Sequence, residues 1–278
     1  MVTGKAVVFF AFWAASLVIM SIPTVFKPVF IKGNSAFLRL WWEFIPLLAL
    51  LLITGIFVWA VEKNKIKVPI LKNPLRNTAL GVVLGCVWIG GTILVLSLIG
   101  NLTLGDKKDI SYFAVWMLSV LLNVIMQEYL VRGYLFSLFR EKYNTATAVI
   151  ITTVLFTAMH GGAFEAGIVA VLNVITMSVF VSLLLIHAES LLAPIIVHFI
   201  WNGVGCLVFG VVSLADDYPS LWNCVISGNN LLSGGEAKIE GSMITLIMNG
   251  LLILFMVYRL KQRIPMTKAD KQLFKQRG

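Results

Sequence analysis

Residues 111–140 read SYFAVWMLSVLLNVIMQEYLVRGYLFSLFR, an apolar stretch interrupted by two full charges, Glu128 and Arg132. The stretch is long enough to cross a bilayer, because a transmembrane helix needs about 20 predominantly apolar residues. The two charges are four residues apart, so they lie on one helical face with the acid before the base, which is the favoured order. Either charge alone is costly in hydrocarbon, and we therefore expect the two side chains to pair.

The rest of the chain has the same apolar character. Of its 278 residues, 59% are hydrophobic and 13% are charged, whereas soluble domains contain about 25% charged residues. The sequence therefore predicts an all-α integral membrane protein, a bundle of eight transmembrane helices that forms one polytopic domain over residues 1–278. The predicted spans are 6–26, 42–61, 79–103, 111–139, 145–163, 166–186, 190–213 and 242–259.

The basic residues predict how the chain lies in the cell membrane. The net charge is +9, and 15 of the 22 Lys and Arg residues fall at the two ends of the chain or in loops on the same side, against 6 on the other side. The more basic side is normally cytoplasmic, so we expect both termini there, including the basic tail 260–278. Three basic residues between Phe26 and Leu40 run against this orientation. Basic clusters that flank spans contact anionic lipid, so the expected partner is the bilayer and not nucleic acid.

Further polar side chains lie inside the apolar stretches. His160 ends the run LFTAMH, and Gln127 stands beside Glu128. His198 and Asn202 lie four residues apart in HFIWN. Each alone is explained by packing or by contacts between helices, but polar groups within spans normally face the interior of a bundle and mark function. Their occurrence on three predicted spans favours one shared polar cavity, open to water on the cytoplasmic side.

Three short motifs on successive spans carry a family resemblance. They read QEYLVR at 127–132, FTAMH at 156–160 and HFIWN at 198–202, within a motif-bearing core of about 111–213. Together they resemble the CPBP or Abi family of intramembrane proteases, the CAAX-protease and bacteriocin-processing group related to the Ras-converting endopeptidase. The resemblance implies an endopeptidase that uses activated water to cleave a membrane-associated peptide or protein, such as a CAAX-type C-terminus or a leader peptide.

The resemblance also implies roles for the motif residues. Glu128 would pair with Arg132 and order the site. His160 and His198 would hold the attacking water, and Asn202 would help to stabilise the oxyanion. The low-dielectric surroundings would strengthen the histidine and asparagine contacts to the developing charge.

Gln127 departs from the family pattern, in which the first motif opens with two glutamates and the first of them activates the water. A neutral carboxamide cannot take a proton from water, and loss of a general base typically costs about 10²–10⁴ in rate. Three explanations are open: an engineered inactivation, a natural pseudoprotease, or a base supplied by Glu128 or by a metal-bound water. The alternative function is a catalytically inactive protein on the same scaffold, such as a bacteriocin self-immunity factor.

A metal site and a transporter are two further hypotheses. His160, His198 and Glu128 could bind Zn²⁺ with one coordination position open, although their spacing is not HExxH and the activated-water mechanism needs no metal. The Glu128–Arg132 pair and the histidines could also couple proton transport. Against transport, the sequence has no inverted repeat of the kind that many transporters carry.

Overall fold

The computed structural model describes residues 2–20, 31 and 33–262, and it is mostly helical (76%). The other residues, which include 21–26 of the first predicted span and 263–278 of the predicted tail, lie outside the described part. The α-helices are α1 (Val2–Met20), α2 (Ser35–Ile56), α3 (Pro74–Leu98), α4 (Phe113–Glu128), α5 (Phe136–Lys142), α6 (Thr145–Ala158), α7 (Gly161–Ala166), α8 (Ile168–Ala188), α9 (Leu192–Asn202), α10 (Asn230–Ser233) and α11 (Met243–Lys261).

Shorter elements extend or connect these helices. The π-helical segments that continue α2, α4 and α9 are Phe57–Val61, Tyr129–Leu135 and Gly203–Val208. The remaining elements are a 3-10 helix, Gly235–Gly241, and two short antiparallel strands, β1 (Leu102–Thr103) and β2 (Val225–Ile226). The segment Tyr129–Leu135 joins α4 to α5, so Phe113–Lys142 forms one continuous helical segment. Single π turns inside helices are frequent at functional sites.

Membrane-spanning character is confirmed for much of the bundle. The five described segments that are long and apolar enough to cross a membrane are Ser35–Val61, Pro74–Leu98, Phe113–Lys142, Ile168–Ala188 and Gly235–Lys261. The shorter apolar helices that overlap the other three predicted spans are Val2–Val18, Thr145–Ala158 and Leu192–Val208. The prediction of an all-α membrane protein is therefore confirmed, whereas the number of eight crossings stays a prediction.

The fifth predicted span, 145–163, has a different boundary in the structure. Its helix α6 ends at Ala158, and the chain turns at His160 before the short helix α7. Gly161 and Gly162 follow the turn, and glycine has a low helix propensity. His160 therefore lies just beyond the end of a helix and not within one.

Side-chain caps explain where two of the helices begin. Asn34 precedes α2, and its side-chain oxygen accepts from the backbone N–H groups of Ala36 (3.1 Å) and Phe37 (3.3 Å). Asn144 caps α6 in the same way through the N–H of Thr147 (2.8 Å). Such caps satisfy backbone donors that have no partner within the helix. The cap at Asn144 lets α6 start directly after α5 and pack back against it.

A glycine pair brings α3 close to α9, the helix that carries the HFIWN motif. A Cβ added at Gly81 would lie 2.8 Å from the Cβ of Ile196, and one added at Gly85 would lie 2.9 Å from the Cβ of Ile200. Small residues four apart let membrane helices approach this closely. The contact fixes the rotation of α9 and hence the directions in which its polar side chains point.

The loops gather at two opposite ends of the bundle. We call one the termini end, which contains the start of α1 and residues 62–73, 143–144 and 189–191. There Lys5 Nζ pairs with Glu62 Oε1 (2.8 Å), and the 62–73 linker meets the turn after α8, since the N–H of Leu191 donates to the carbonyl of Pro69 (2.7 Å).

The other end, which we call the loop end, contains residues 99–112, 159–167 and 209–242. There β1 pairs with β2, and Arg39 at the start of α2 pairs with Asp217. The Nδ2 atom of Asn173 also donates to the carbonyl of Ser242 (3.0 Å). These contacts tie the long loop between α9 and α11 to strand β1 and to the helices α2 and α8.

Candidate active site

The Glu128–Arg132 pair is fully buried in the bundle. Arg132 Nη1 donates to both carboxylate oxygens of Glu128 (2.8 and 2.9 Å), and both side chains are 0% exposed. The other guanidinium nitrogens donate to the Oγ (2.9 Å) and carbonyl (3.1 Å) of Ser178 and to the Oγ of Ser182 (3.2 Å). Breaking one partner of a buried pair is strongly destabilising, and a pair is tolerated when the remaining donors are also bonded. The two serines of α8 meet that requirement.

His198 joins the buried pair to Asn202. Its Nδ1 donates to Glu128 Oε1 (2.8 Å), because a carboxylate can only accept. In the neutral imidazole, Nε2 then carries the lone pair and accepts from Asn202 Nδ2 (3.2 Å). The carboxylate thereby fixes both the tautomer and the direction of the ring. We call Arg132–Glu128–His198–Asn202 the ion-pair chain.

His160 is held beside His198 by an aromatic ring. Its Nδ1 donates to the carbonyl of Phe156 (2.7 Å), which leaves Nε2 as the acceptor in the neutral form. The ring centroid of Phe156 lies 4.3 Å from that of His160 and 6.1 Å from that of His198. Arg132 Cζ lies 4.8 Å from the same ring. Phe156 therefore brings the second motif against the other two.

A cavity of about 620 Å³ lies between the helices at this point. The motif residues that line it are Gln127, His160, His198 and Asn202. The sequence predicts Glu128 on the cavity wall as well, but the structure places it behind His198, because its oxygens are bonded to Arg132 and to that histidine. The six predicted residues thus come together in two layers, four on the wall and two behind it.

A comparison with known families agrees with this geometry. Residues 109–204 match the family model described as type II CAAX prenyl endopeptidase Rce1-like. Over these residues the chain is similar to the Rce1-like family. This Rce1-like segment contains all six motif residues, and the resemblance drawn from the three motifs is confirmed. No curated protein matches the chain.

A second polar chain reaches the cavity partly from outside the Rce1-like segment. Glu43 Oε2, on α2, accepts from Asn123 Nδ2 (2.8 Å), and Asn123 Oδ1 accepts from Gln127 Nε2 (2.6 Å). Arg39 Nη1 lies 3.4 Å from Glu43 Oε1. We call Arg39–Glu43–Asn123–Gln127 the amide chain, and all four residues line the cavity. The sequence reasoning missed Glu43, although an acid inside an apolar span is a signal of function.

Tyr218 supports Glu43 from the long loop. Its hydroxyl donates to Glu43 Oε1 (3.3 Å), and the guanidinium carbon of Arg39 lies 5.1 Å from its ring centroid. Burial, and after it the negative charge of Glu43, raises the pKa of the Tyr218 hydroxyl above its usual value. The hydroxyl therefore stays protonated and available as a donor. These contacts hold the loop over the start of α2.

The cavity opens at the loop end of the bundle. Its rim contains Gly161 and Gly162, which are exposed, together with residues 213–215, Glu236, Ala237 and Glu240. Toward the termini end, the buried residues Leu130–Leu135 close the bundle. The sequence predicts both that the termini are cytoplasmic and that the cavity opens to the cytoplasm. The start of α1 and the rim lie at opposite ends of the bundle, so the two predictions exclude each other, and each alone stays a prediction. The position of a site residue along its span does not reveal at which end of the bundle the cavity is closed by packing.

Zinc binding by Glu128, His160 and His198 stays a prediction, and the geometry does not fit it. Both oxygens of Glu128 accept from Arg132, and one also accepts from His198. A bond to zinc would break these contacts inside the bundle. Within the described part of the chain, no group of three or more His, Cys, Asp or Glu side chains is arranged to hold a metal ion. Glu128 serves as the partner of His198 instead.

Proposed function

We propose that this protein is an intramembrane endopeptidase that cleaves a membrane-associated peptide or protein, such as a leader peptide or a CAAX-type C-terminus, by hydrolysis. The observation that carries the proposal is that His160, His198 and Asn202, all within the Rce1-like segment, line one cavity. His198 and Asn202 are buried, and buried surroundings strengthen the contacts of polar groups with a developing charge.

The three lining residues suggest how water attacks a peptide bond. His160 uses Nδ1 as a donor, so its Nε2 can accept from a water molecule, whereas the Nε2 of His198 accepts from Asn202 and holds that amide in place. Asn202 has a second amide hydrogen that can donate to the carbonyl oxygen as it becomes negative. One such donor is typically worth about 10²–10³ in kcat. The proton that leaves the water needs a base, and Gln127 cannot be that base.

The two cavity histidines provide the first test. Purified protein in liposomes is given a quenched membrane peptide, and we expect His160→Gln and His198→Gln each to lower kcat by about 10²-fold or more, the scale of acid–base and positioning contributions. His187→Gln is the matched control, because His187 lies at the termini end beside Arg76 (3.3 Å). An equal loss in all three variants, or none in the cavity variants, contradicts the proposal.

A catalytically inactive scaffold, such as a bacteriocin self-immunity factor, is the second candidate, and Gln127 favours it. A protein of this kind has no turnover, and protection of cells from a bacteriocin is unaffected by His160→Gln. The Gln127→Glu variant separates the two candidates further. Cleavage only in this variant means that the scaffold is sound and the natural chain lacks a base.

We also propose that the chain crosses the cell membrane eight times with both termini in the cytoplasm. The uneven count of Lys and Arg in the sequence supports this orientation, because 15 fall at the chain ends or in loops predicted on the same side and 6 fall on the other side. The cavity then opens on the outer face, because its rim lies at the loop end. A substrate would have to present its cleavage site at that face, which suits an exported peptide better than a cytosolic C-terminus.

Cysteine labelling tests this orientation. In a background in which Cys86, Cys206 and Cys224 are replaced by serine, we place one cysteine at Gly162 on the rim or at Lys65 in the linker. A Cβ at Gly162 meets no atom within 4 Å, so the substitution fits. We expect a membrane-impermeant maleimide to label Gly162→Cys in intact cells and Lys65→Cys only after permeabilisation. The reverse pattern contradicts the orientation.

A further inference from the structure

We propose that Glu43, on α2 and outside the Rce1-like segment, is the general base of this site and supplies the carboxylate that residue 127 lacks. The inference rests on the proposed hydrolase function. It assigns a proton-transfer role to a helix that none of the three sequence motifs includes.

Elimination among the carboxylates of the site leads first to Glu43. Glu128 is 0% exposed and lies off the cavity wall, behind His198. Glu236 and Glu240 belong to the 3-10 helix at the rim, and Glu240 Oε2 accepts from the backbone N–H of Ser213 (2.7 Å). Glu43 lies on the wall and connects to Gln127 through a single side chain.

The hydrogen-bond directions in the amide chain all follow from the charge on Glu43. A carboxylate only accepts, so Asn123 must turn its NH₂ group toward Glu43 and its oxygen toward Gln127. Gln127 must then turn its own NH₂ group toward Asn123. Its Oε1 is left buried and accepts no hydrogen bond from any described residue. This oxygen belongs to a neutral carboxamide, so it cannot take the proton from water.

The same hydrogen-bond directions show that a glutamine at position 127 fits the donors and acceptors of Asn123 and Glu43. A carboxylate at position 127 would face the side-chain oxygen of Asn123, and two hydrogen-bond acceptors would then lie against each other. Glu43, on the opposite side of Asn123, would carry a second negative charge. Asn123 has one NH₂ group and can serve only one of the two carboxylates. The amide chain can therefore hold one carboxylate charge, and in this protein that charge lies at Glu43.

The proposed reaction balances with Glu43 as the only proton carrier. The water oxygen bonds to the scissile carbonyl carbon while one water proton passes to Glu43, and the carbonyl oxygen becomes an oxyanion that faces Asn202. The oxyanion then re-forms the carbonyl as the C–N bond breaks, and Glu43 gives its proton to the departing nitrogen. The products are a new carboxyl terminus and an amine, and Glu43 returns to its ionised form.

A charge exchange between positions 43 and 127 tests the inference. We expect Glu43→Gln to lower kcat/KM by about 10²–10⁴-fold, the usual range for loss of a general base. We expect the double variant Glu43→Gln/Gln127→Glu to regain most of that loss. In the double variant, Asn123 can turn its amide around, so that it donates to Glu at 127 and accepts from Gln at 43. The single Gln127→Glu variant gains nothing comparable, because two carboxylates then compete for one amide.

The pH dependence distinguishes a base from a residue that only holds helices together. A base must be ionised, so kcat/KM of the natural protein falls as the pH drops through the pKa of that group, and Glu43→Gln loses this limb of the profile. Glu62→Gln is the matched control, because Glu62 is a buried carboxylate that directly follows the far end of the membrane segment carrying Glu43. We expect it to keep both the rate and the profile.

The outcomes separate this inference from the proposed function. If His160→Gln abolishes cleavage while Glu43→Gln does not, the hydrolase remains and Glu43 is not its base. If the natural protein is inactive but the single Gln127→Glu variant is active, Glu43 is again excluded. If no form cleaves any peptide, both proposals fail. Loss in Glu43→Gln without recovery in the double variant also contradicts the charge exchange.

Discussion

The ion-pair chain and the amide chain contain similar residues but differ in how far these are exposed and hydrogen-bonded. Each contains an arginine and a glutamate one helical turn apart, and each ends in a carboxamide on the cavity wall, Asn202 or Gln127. In the ion-pair chain, Glu128 is 0% exposed and both its oxygens are bonded. In the amide chain, Arg39 is 22% exposed and the terminal oxygen of Gln127 has no described partner. The fully buried ion pair suits fixed positioning, whereas the ion pair of the amide chain is partly exposed to water.

Removal of Arg132 should have the largest effect on stability. Arg132→Met leaves the Glu128 carboxylate buried and unpaired, and loss of one partner from a buried pair costs about 3–5 kcal/mol. Thermal unfolding in detergent micelles measures the change. The double variant Glu128→Gln/Arg132→Met should lose less, because it leaves no uncompensated charge. A single variant as stable as the natural protein would mean that the ion-pair chain does not hold the bundle together.

Removal of Arg39 should have a much smaller effect. Arg39 is partly exposed at the loop end, and partly exposed ion pairs are typically worth about 0.2–1 kcal/mol. After Arg39→Met, Glu43 still accepts from Asn123 and Tyr218. The same unfolding measurement applies, with Arg132→Met as the reference. Equal losses in the two variants would show that both chains are structural and that the contrast between them has no functional meaning.

The sequence predicts the ion-pair chain better than the amide chain, for a physical reason. Glu128 and Arg132 are four residues apart in one helix, so helical geometry alone brings them together. Their link to His198 also follows a pattern, because polar groups within spans face the bundle interior. Glu43 and Asn123 lie on different helices, and their contact depends on how α2 and α4 pack, which no short motif encodes.

The sequence does not predict at which end the cavity opens, for a similar reason. Counting Lys and Arg assigns sides to the loops, but it does not show where the helices part. In the structure, Tyr218 and the 3-10 helix Gly235–Gly241 line the cavity from a loop with no apolar periodicity. The turn at His160 also shortens α6 at a place where the apolar pattern continues. Both features arise from contacts between distant parts of the chain.

Cleavage of a quenched membrane peptide in ¹⁸O-labelled water, followed by mass spectrometry of the products, tests the central claim most directly. The account predicts that the natural protein forms two fragments, with one ¹⁸O atom in the new carboxyl terminus, and that His198→Gln forms neither at a comparable rate. Absence of cleavage by the natural protein, or cleavage that His198→Gln retains in full, would contradict it.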